Sequence, residues 1–135
     1  MSRETSRLGK QGEYAVIGKL LEMGCDVYQP IVDTKRIDCV IRSEKGEYKE
    51  IQVKARSVSS EHGANIFSVR GFKDRANYFV ILNFLGTSNY WVFPSRIFKK
   101  HGRPSKRTGS WQINLTEKKQ YDLRRYRNNF DLLKK

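Results

Sequence analysis

Hydrophobic positions in the first third of the chain recur at helical spacing and then at alternating spacing. From about Ser6 to Met23, Leu8, Ala15, Val16, Ile17, Leu20 and Leu21 return every three or four residues, which predicts an amphipathic helix. Thr5 or Ser6 is placed to cap its start, and Gly24 suits the left-handed conformation just past its end. Short extended runs follow at residues 27–29, ahead of Pro30, and at 36–41 and 48–55. The polar Glu44-Lys45-Gly46-Glu47 between the last two makes them a hairpin. Residues 66–69 read as another strand. The nearly continuous apolar run at 78–84 reads as a central strand covered on both faces. A strand at 90–93 comes next, Pro94-Ser95 opens a short helix to Phe98, and 111–115 is a weaker strand. Leu123, Tyr126, Phe130 and Leu133 mark the apolar stripe of a C-terminal helix with Thr116 as its cap. This order predicts an α/β domain whose mixed β-sheet is flanked by helices.

Length agrees with one domain, since 135 residues leave little room for a second core. The expected division is a core over residues 5–95 and a nucleic-acid-contacting part over 96–135. No apolar run approaches the ~20 residues that span a bilayer, and the Met-Ser-Arg-Glu start lacks a signal-peptide apolar stretch. The expectation is an intracellular, cytoplasmic protein, nucleoid-associated in a prokaryote, with no membrane partner. Cys25 and Cys39 form neither a disulfide framework nor a zinc-type spacing with His62 or His101.

Charge changes the picture. The net charge is +13, and residues 96–135 carry 13 basic side chains against 3 acidic ones. An excess of this size points to a polyanionic partner, nucleic acid above all. Lys99, Lys100, Arg103, Lys106 and Arg107 crowd a stretch punctuated by Gly102 and Pro104, which reads as a flexible basic loop suited to phosphates or a groove. Arg124, Arg125 and Arg127 lie off the apolar stripe of the last helix and extend the basic surface. His62, in a loop after the hairpin, reads as an exposed side chain.

Three features carry chemistry. Glu13 shares a helix face with Ile17, Leu20 and Gly24, so its carboxylate needs a partner. Asp38 sits inside a β-branched strand, where propensity disfavours it. In Glu50-Ile51-Gln52-Val53-Lys54, alternation puts Glu50, Gln52 and Lys54 on one face, and hairpin pairing brings Asp38 to the same face. A carboxylate, an amide oxygen and an ammonium then converge, with a second carboxylate overhead from the helix. Hard divalent cations take such oxygen ligands.

Gly9-x-x-Gly12-Glu13 opening a helix, Arg36-Ile37-Asp38, and Glu50-Ile51-Gln52-Val53-Lys54 together resemble the PD-(D/E)xK nuclease superfamily. Restriction endonucleases, Holliday junction resolvases and some intron-encoded homing endonucleases belong to it. The resemblance implies a restriction endonuclease-like fold and a Mg2+-dependent DNA endonuclease, with Mn2+ as a substitute, that leaves 5′-phosphate and 3′-hydroxyl ends. It implies Asp38 as main metal ligand, Gln52 and the Val53 carbonyl as further ligands, and Glu13 as the helix carboxylate near the metal. Lys54 would orient or deprotonate the attacking water and offset developing charge. Duplex or branched DNA is the implied partner, and cutting both strands implies a homodimer or a higher symmetric oligomer.

Two positions depart from the pattern. Gln52 stands where most members carry Glu or Asp, as in Mrr-like restriction nucleases and some homing enzymes, and Ile37 replaces the usual proline. Residues 57–75 also show no crossover helix. Glu50 is the competing ligand if the motif is placed one pleat too late. A binding module that keeps the fold without cleaving is the alternative that a neutral Gln52 leaves open.

Overall fold

The computed structural model describes residues 3–32, 37–57 and 65–135. Arg36 and His62 lie outside them. The first helix, α1 (Arg3–Glu22), begins a turn earlier than the apolar stripe, so positions 5 and 6 lie within it rather than ahead of it. Its polar first turn holds no Pro or Gly, and the stripe marks only the buried stretch. That stretch is narrower than the spacing predicts. Gly12, Val16 and Leu20 face the protein, whereas Ala15 and Leu21 face solvent. Full burial of Val16 and Leu20 contributes roughly 1.5–3 kcal/mol each. Gly24 ends the helix at φ 84°, with the Cys25 N–H bonded back to Leu20 O at 3.0 Å.

The chain then forms β1 (Asp26–Tyr28), β2 (Cys39–Arg42), β3 (Tyr48–Ser57), β4 (Ile66–Val69), β5 (Tyr78–Leu85) and β6 (Tyr90–Pro94). Helix α2 (Ser95–His101), β7 (Arg103–Pro104), β8 (Trp111–Asn114) and α3 (Glu117–Asp122) complete the named elements before two short 3-10 turns, Arg124–Tyr126 and Phe130–Lys134. A five-stranded mixed sheet has the order β1-β2-β3-β5-β6, antiparallel except for the parallel pair β3 and β5. The expected restriction endonuclease-like α/β fold is present. Between β3 and β5 the described part of the crossover contains strand β4, which joins β8 and β7 in a second, three-stranded sheet.

Alternation along β5 explains how both faces are filled. Phe79 and Ile81 meet α1, with Cys39, Ile41, Ile51 and Val53, on one side. Tyr78, Val80, Leu82 and Phe84 meet Phe67, Phe98, Ile113 and Leu115 of the small sheet and its surroundings on the other. The nearly continuous apolar run of this strand, broken only by Asn83, is the signature of that double covering.

Two further expectations fail. The C-terminal stripe does not lie on one helix. Thr116 does cap α3, accepting from the Lys119 N–H at 3.2 Å, but the helix stops at Asp122. Asn128 then turns at φ 53°, and its N–H donates to Tyr90 O at 2.6 Å while Tyr90 N–H donates to its Oδ1 at 2.8 Å. The chain leaves helical geometry to satisfy the outer edge of β6. Leu123 and Tyr126 consequently fill one core and Phe130 and Leu133 the other. Nor is the basic stretch 99–107 a free loop. Lys99 and Lys100 belong to α2, and Arg103 pairs with Gln112 as an edge strand.

Candidate active site

Strand β3 carries the candidate residues. Its ladder with β2 sets Cys39 opposite Ile51 and Val40 opposite Glu50. Continued by one residue, the register sets Asp38 opposite Gln52, on the face that also holds Glu50 and Lys54. The Asp38 N–H donates to Ile51 O at 2.8 Å, and Asp38 Oδ2 accepts from the Val53 N–H at 2.6 Å. The carboxylate thus takes the rung at which β2 begins. In an extended strand the N–H and C=O of one residue project to the same edge, so the Val53 carbonyl points to the side of β3 on which Asp38 lies.

Gln52 is 3% exposed, and its Oε1 has no hydrogen-bond partner. The only other such buried side-chain atom among the described residues is the Trp91 indole nitrogen, inside the aromatic core. An unpaired buried amide oxygen costs about 1–3 kcal/mol. With the Asp38 carboxylate opposite it in the ladder and the Val53 carbonyl next in sequence, it is one of three oxygens of the kind that hard divalent cations take. No group of three His, Cys, Asp or Glu side chains makes a conventional metal cluster among the described residues, so the amide is what gives the set its third oxygen.

Burial, more than any neighbour, raises the Asp38 pKa from 3.8 to about 6. The Val53 N–H bond opposes this, Glu13 adds to it, and Lys54 and Lys10 oppose it. Glu13 is therefore within electrostatic reach of Asp38. It comes from the helix on the opposite face of the sheet, with its side chain 13% exposed and 3.4 Å from Lys10 Nζ. A Cβ on Gly12 would lie 2.4 Å from Ala55 Cβ, so the glycine lets α1 approach β3 closely enough to bring Glu13 in. Cys39, behind the site, is driven up to about 12 by burial and the two carboxylates, and is no thiolate nucleophile.

Glu50 is otherwise engaged. Its Oε1 accepts from Arg75 Nε at 2.9 Å, and the Arg75 guanidinium lies 4.0 Å from the centre of the Tyr78 ring. Lys54 lines an open cleft of ≈ 350 Å³ with Ser68 and Gln112 of the small sheet, where Arg107 also lies. Lys100 and Arg103 line a second cleft. Lys99 and Lys106 are exposed and line neither. Arg124 and Arg125 pack instead over Tyr121 and Tyr126, at 4.2 and 5.2 Å from the ring centres. The sequence does not single out Arg70, which joins Lys54 and Arg107 in the first cleft. Its position two residues after Ser68 marks the face it takes, but only the placement of β4 beside β3 brings it there. Arg56 ties those two strands, donating to Ile66 O at 2.6 Å.

No helix among the described residues is long and apolar enough to cross a membrane. A search of curated proteins finds no match. Among solved structures, the chain is similar to a bacterial homing endonuclease, I-Ssp6803I, with TM-score 0.71 and 24% identity over 96% of this chain and 93% of that one. A family profile, PD-(D/E)XK endonuclease, matches residues 3–82, more than half of the chain and all of the candidate site. The chain belongs to the PD-(D/E)XK endonuclease family.

Proposed function

We propose that this nuclease is a Mg2+-dependent DNA endonuclease, with Mn2+ able to substitute, whose site is Asp38, Gln52, Lys54 and the Val53 carbonyl, with Glu13 alongside. The observation that carries the reading is the buried Gln52 oxygen, unpartnered beside a carboxylate that burial holds near a pKa of about 6. Both costs are lifted by a cation at that place, and a family of metal-using nucleases supplies the context. Engagement of Glu50 by Arg75 supports Gln52 as the ligand of the pair.

Bound there, Mg2+ supplies charge stabilisation for a phosphoryl oxygen. Lys54, on the same face and open to the cleft, holds the attacking water, and its ammonium offsets the negative charge that develops on the phosphate. Asp38 is locked in one orientation by the Val53 N–H. In-line attack then leaves 5′-phosphate and 3′-hydroxyl ends. The likeness to a bacterial homing endonuclease over nearly the full length of both chains supports the homing type over the junction-resolving type. Cleavage of both strands is best met by a symmetric homodimer or higher oligomer. The basic part after residue 95 supplies most of the affinity, and Asp38, Gln52 and Lys54 the chemistry.

The test is incubation with supercoiled plasmid, a four-way junction and single strands, in magnesium or in EDTA. Nicking and linearisation of plasmid in magnesium alone are expected. Asp38→Ala and Lys54→Ala should each reduce cutting at least a hundredfold while DNA affinity stays within a few-fold. Metal-independent binding with no cutting in any metal would make the protein a non-catalytic binding module.

A further inference from the structure

The outer face of the small sheet is polar in a patterned way. Along β4 and β8, Phe67, Val69 and Ile113 turn into the core, while Ser68, Gln112 and Asn114, with the half-buried Ile66 opposite Asn114, take the other side. Register sets Ser68 opposite Gln112 and Gln112 opposite Arg103, so one polar row crosses all three strands. A cleft flanks the row at each end. The first, of ≈ 350 Å³, includes Lys54, Arg70 and Arg107, and the second, of ≈ 420 Å³, includes Lys100, Arg103 and Lys119. Gln112 lines both, which joins them into one track leading away from Lys54. Among the described residues, no acidic side chain lines either cleft.

Resting on the endonuclease reading, we infer that duplex DNA docks on this outer face with the small sheet in its major groove. In this pose Arg70 and Arg107 hold phosphates of the strand to be cut, and Gln112 reads a base edge. Adjacent strands lie about 4.8 Å apart, so β4 and β8 make a two-stranded ribbon of the kind that the major groove, about 12 Å wide, admits, and the two-residue β7 puts Arg103 at its rim. Cations at the rims meet phosphates, which position the duplex without reading it. Gln112 is neutral and lies where the two clefts meet, and its amide offers the donor–acceptor pair that matches the N6/N7 edge of adenine. The row therefore divides positioning from reading, and its Lys54 end delivers the bound strand to the site.

Binding of a randomised duplex library on an Asp38→Asn background reads this without cutting. Adding Gln112→Ala should weaken binding to the preferred sequences by about 5- to 150-fold, relax preference at one position, and leave the salt dependence unchanged. Adding Arg70→Ala with Arg107→Ala should lower the slope of log affinity against log salt by about 1.8, at 0.9 per lost phosphate, with the same preferred sequence. Unchanged preference in the Gln112 variant, a parent with no base preference, or an unchanged slope in the folded arginine variant overturns the inference. A wild-type chain that cuts DNA while these variants behave as their parent sinks the docking surface alone. A wild-type chain that neither binds nor cuts DNA sinks the endonuclease reading as well.

Discussion

Asp38 shows how a single side chain trades stability for a site. Its pKa of about 6 lies above the 3.8 of the unfolded chain, so between those values the native state holds a proton that the unfolded state has lost. Stability of the metal-free protein therefore falls as pH rises from about 4 to about 6, and stays lower above that. A shift of this size corresponds to roughly 2–3 kcal/mol. Asp38→Asn keeps an oxygen for the Val53 N–H and removes the buried charge. Urea unfolding in EDTA at pH 7 should find the variant more stable by about 1–3 kcal/mol, with the gap closing below pH 4. Added magnesium should raise the midpoint of wild type and leave Asp38→Asn unmoved. A less stable variant at pH 7, with no metal response in wild type, would contradict the account of this carboxylate. Lys49 is the opposite kind of residue, a buried ammonium with a structural task. It is 3% exposed and donates to the carbonyls of Leu132, Leu133 and Lys135, the Leu133 bond at 3.0 Å. Lys49→Met should cost about 1–3 kcal/mol by orphaning them, and should speed amide exchange at the last 3-10 turn without moving the site.

At the scale of elements, α1 and β3 meet where Gly12 faces Ala55. A side chain at residue 12 forces the two apart, so Gly12→Val should destabilise by about 1–3 kcal/mol and draw Glu13 away from Asp38. Cleavage should fall further than the lost stability explains, measured at a temperature where the variant is still fully folded. Activity matching wild type under those conditions would mean that Glu13 has no part in the site. This helix, the hairpin and β5 were legible because each presents a plain local signal: the left-handed Gly24 after the helix, the Gly46 turn at φ 83°, the nearly continuous apolar run over Tyr78–Leu85. The C-terminal helix misled because its stripe has the right spacing for the wrong reason. Leu123 and Tyr126 pack in one core and Phe130 and Leu133 in the other, and the break at Asn128 answers the open edge of β6, which lies 38 residues away in sequence.

Across the whole molecule, the same distinction separates what the candidate site reveals in sequence from what it hides. Asp38, Gln52 and Lys54 are coupled by a hairpin, so alternation alone brings them to one face. Arg70 and Gln112 reach the site's cleft only through the second sheet, whose ladder joins residues 66–69 to 111–114 and leaves no local period to read. Basic residues after residue 95 announced a polyanion, but the distribution of Lys100, Arg103 and Arg107 over two clefts is a property of the fold. Plasmid cutting across a magnesium series by wild type, Gln52→Glu, Gln52→Leu and Glu50→Gln reads whether the Gln52 oxygen belongs to the cleavage site. Gln52→Glu keeps an oxygen and adds charge, so it should cut at equal or lower magnesium. Gln52→Leu should lose at least a hundredfold while its DNA affinity holds, and Glu50→Gln, which only loosens Arg75, should cut within a few-fold of wild type. Full activity in Gln52→Leu together with an inactive, folded Glu50→Gln would contradict the account.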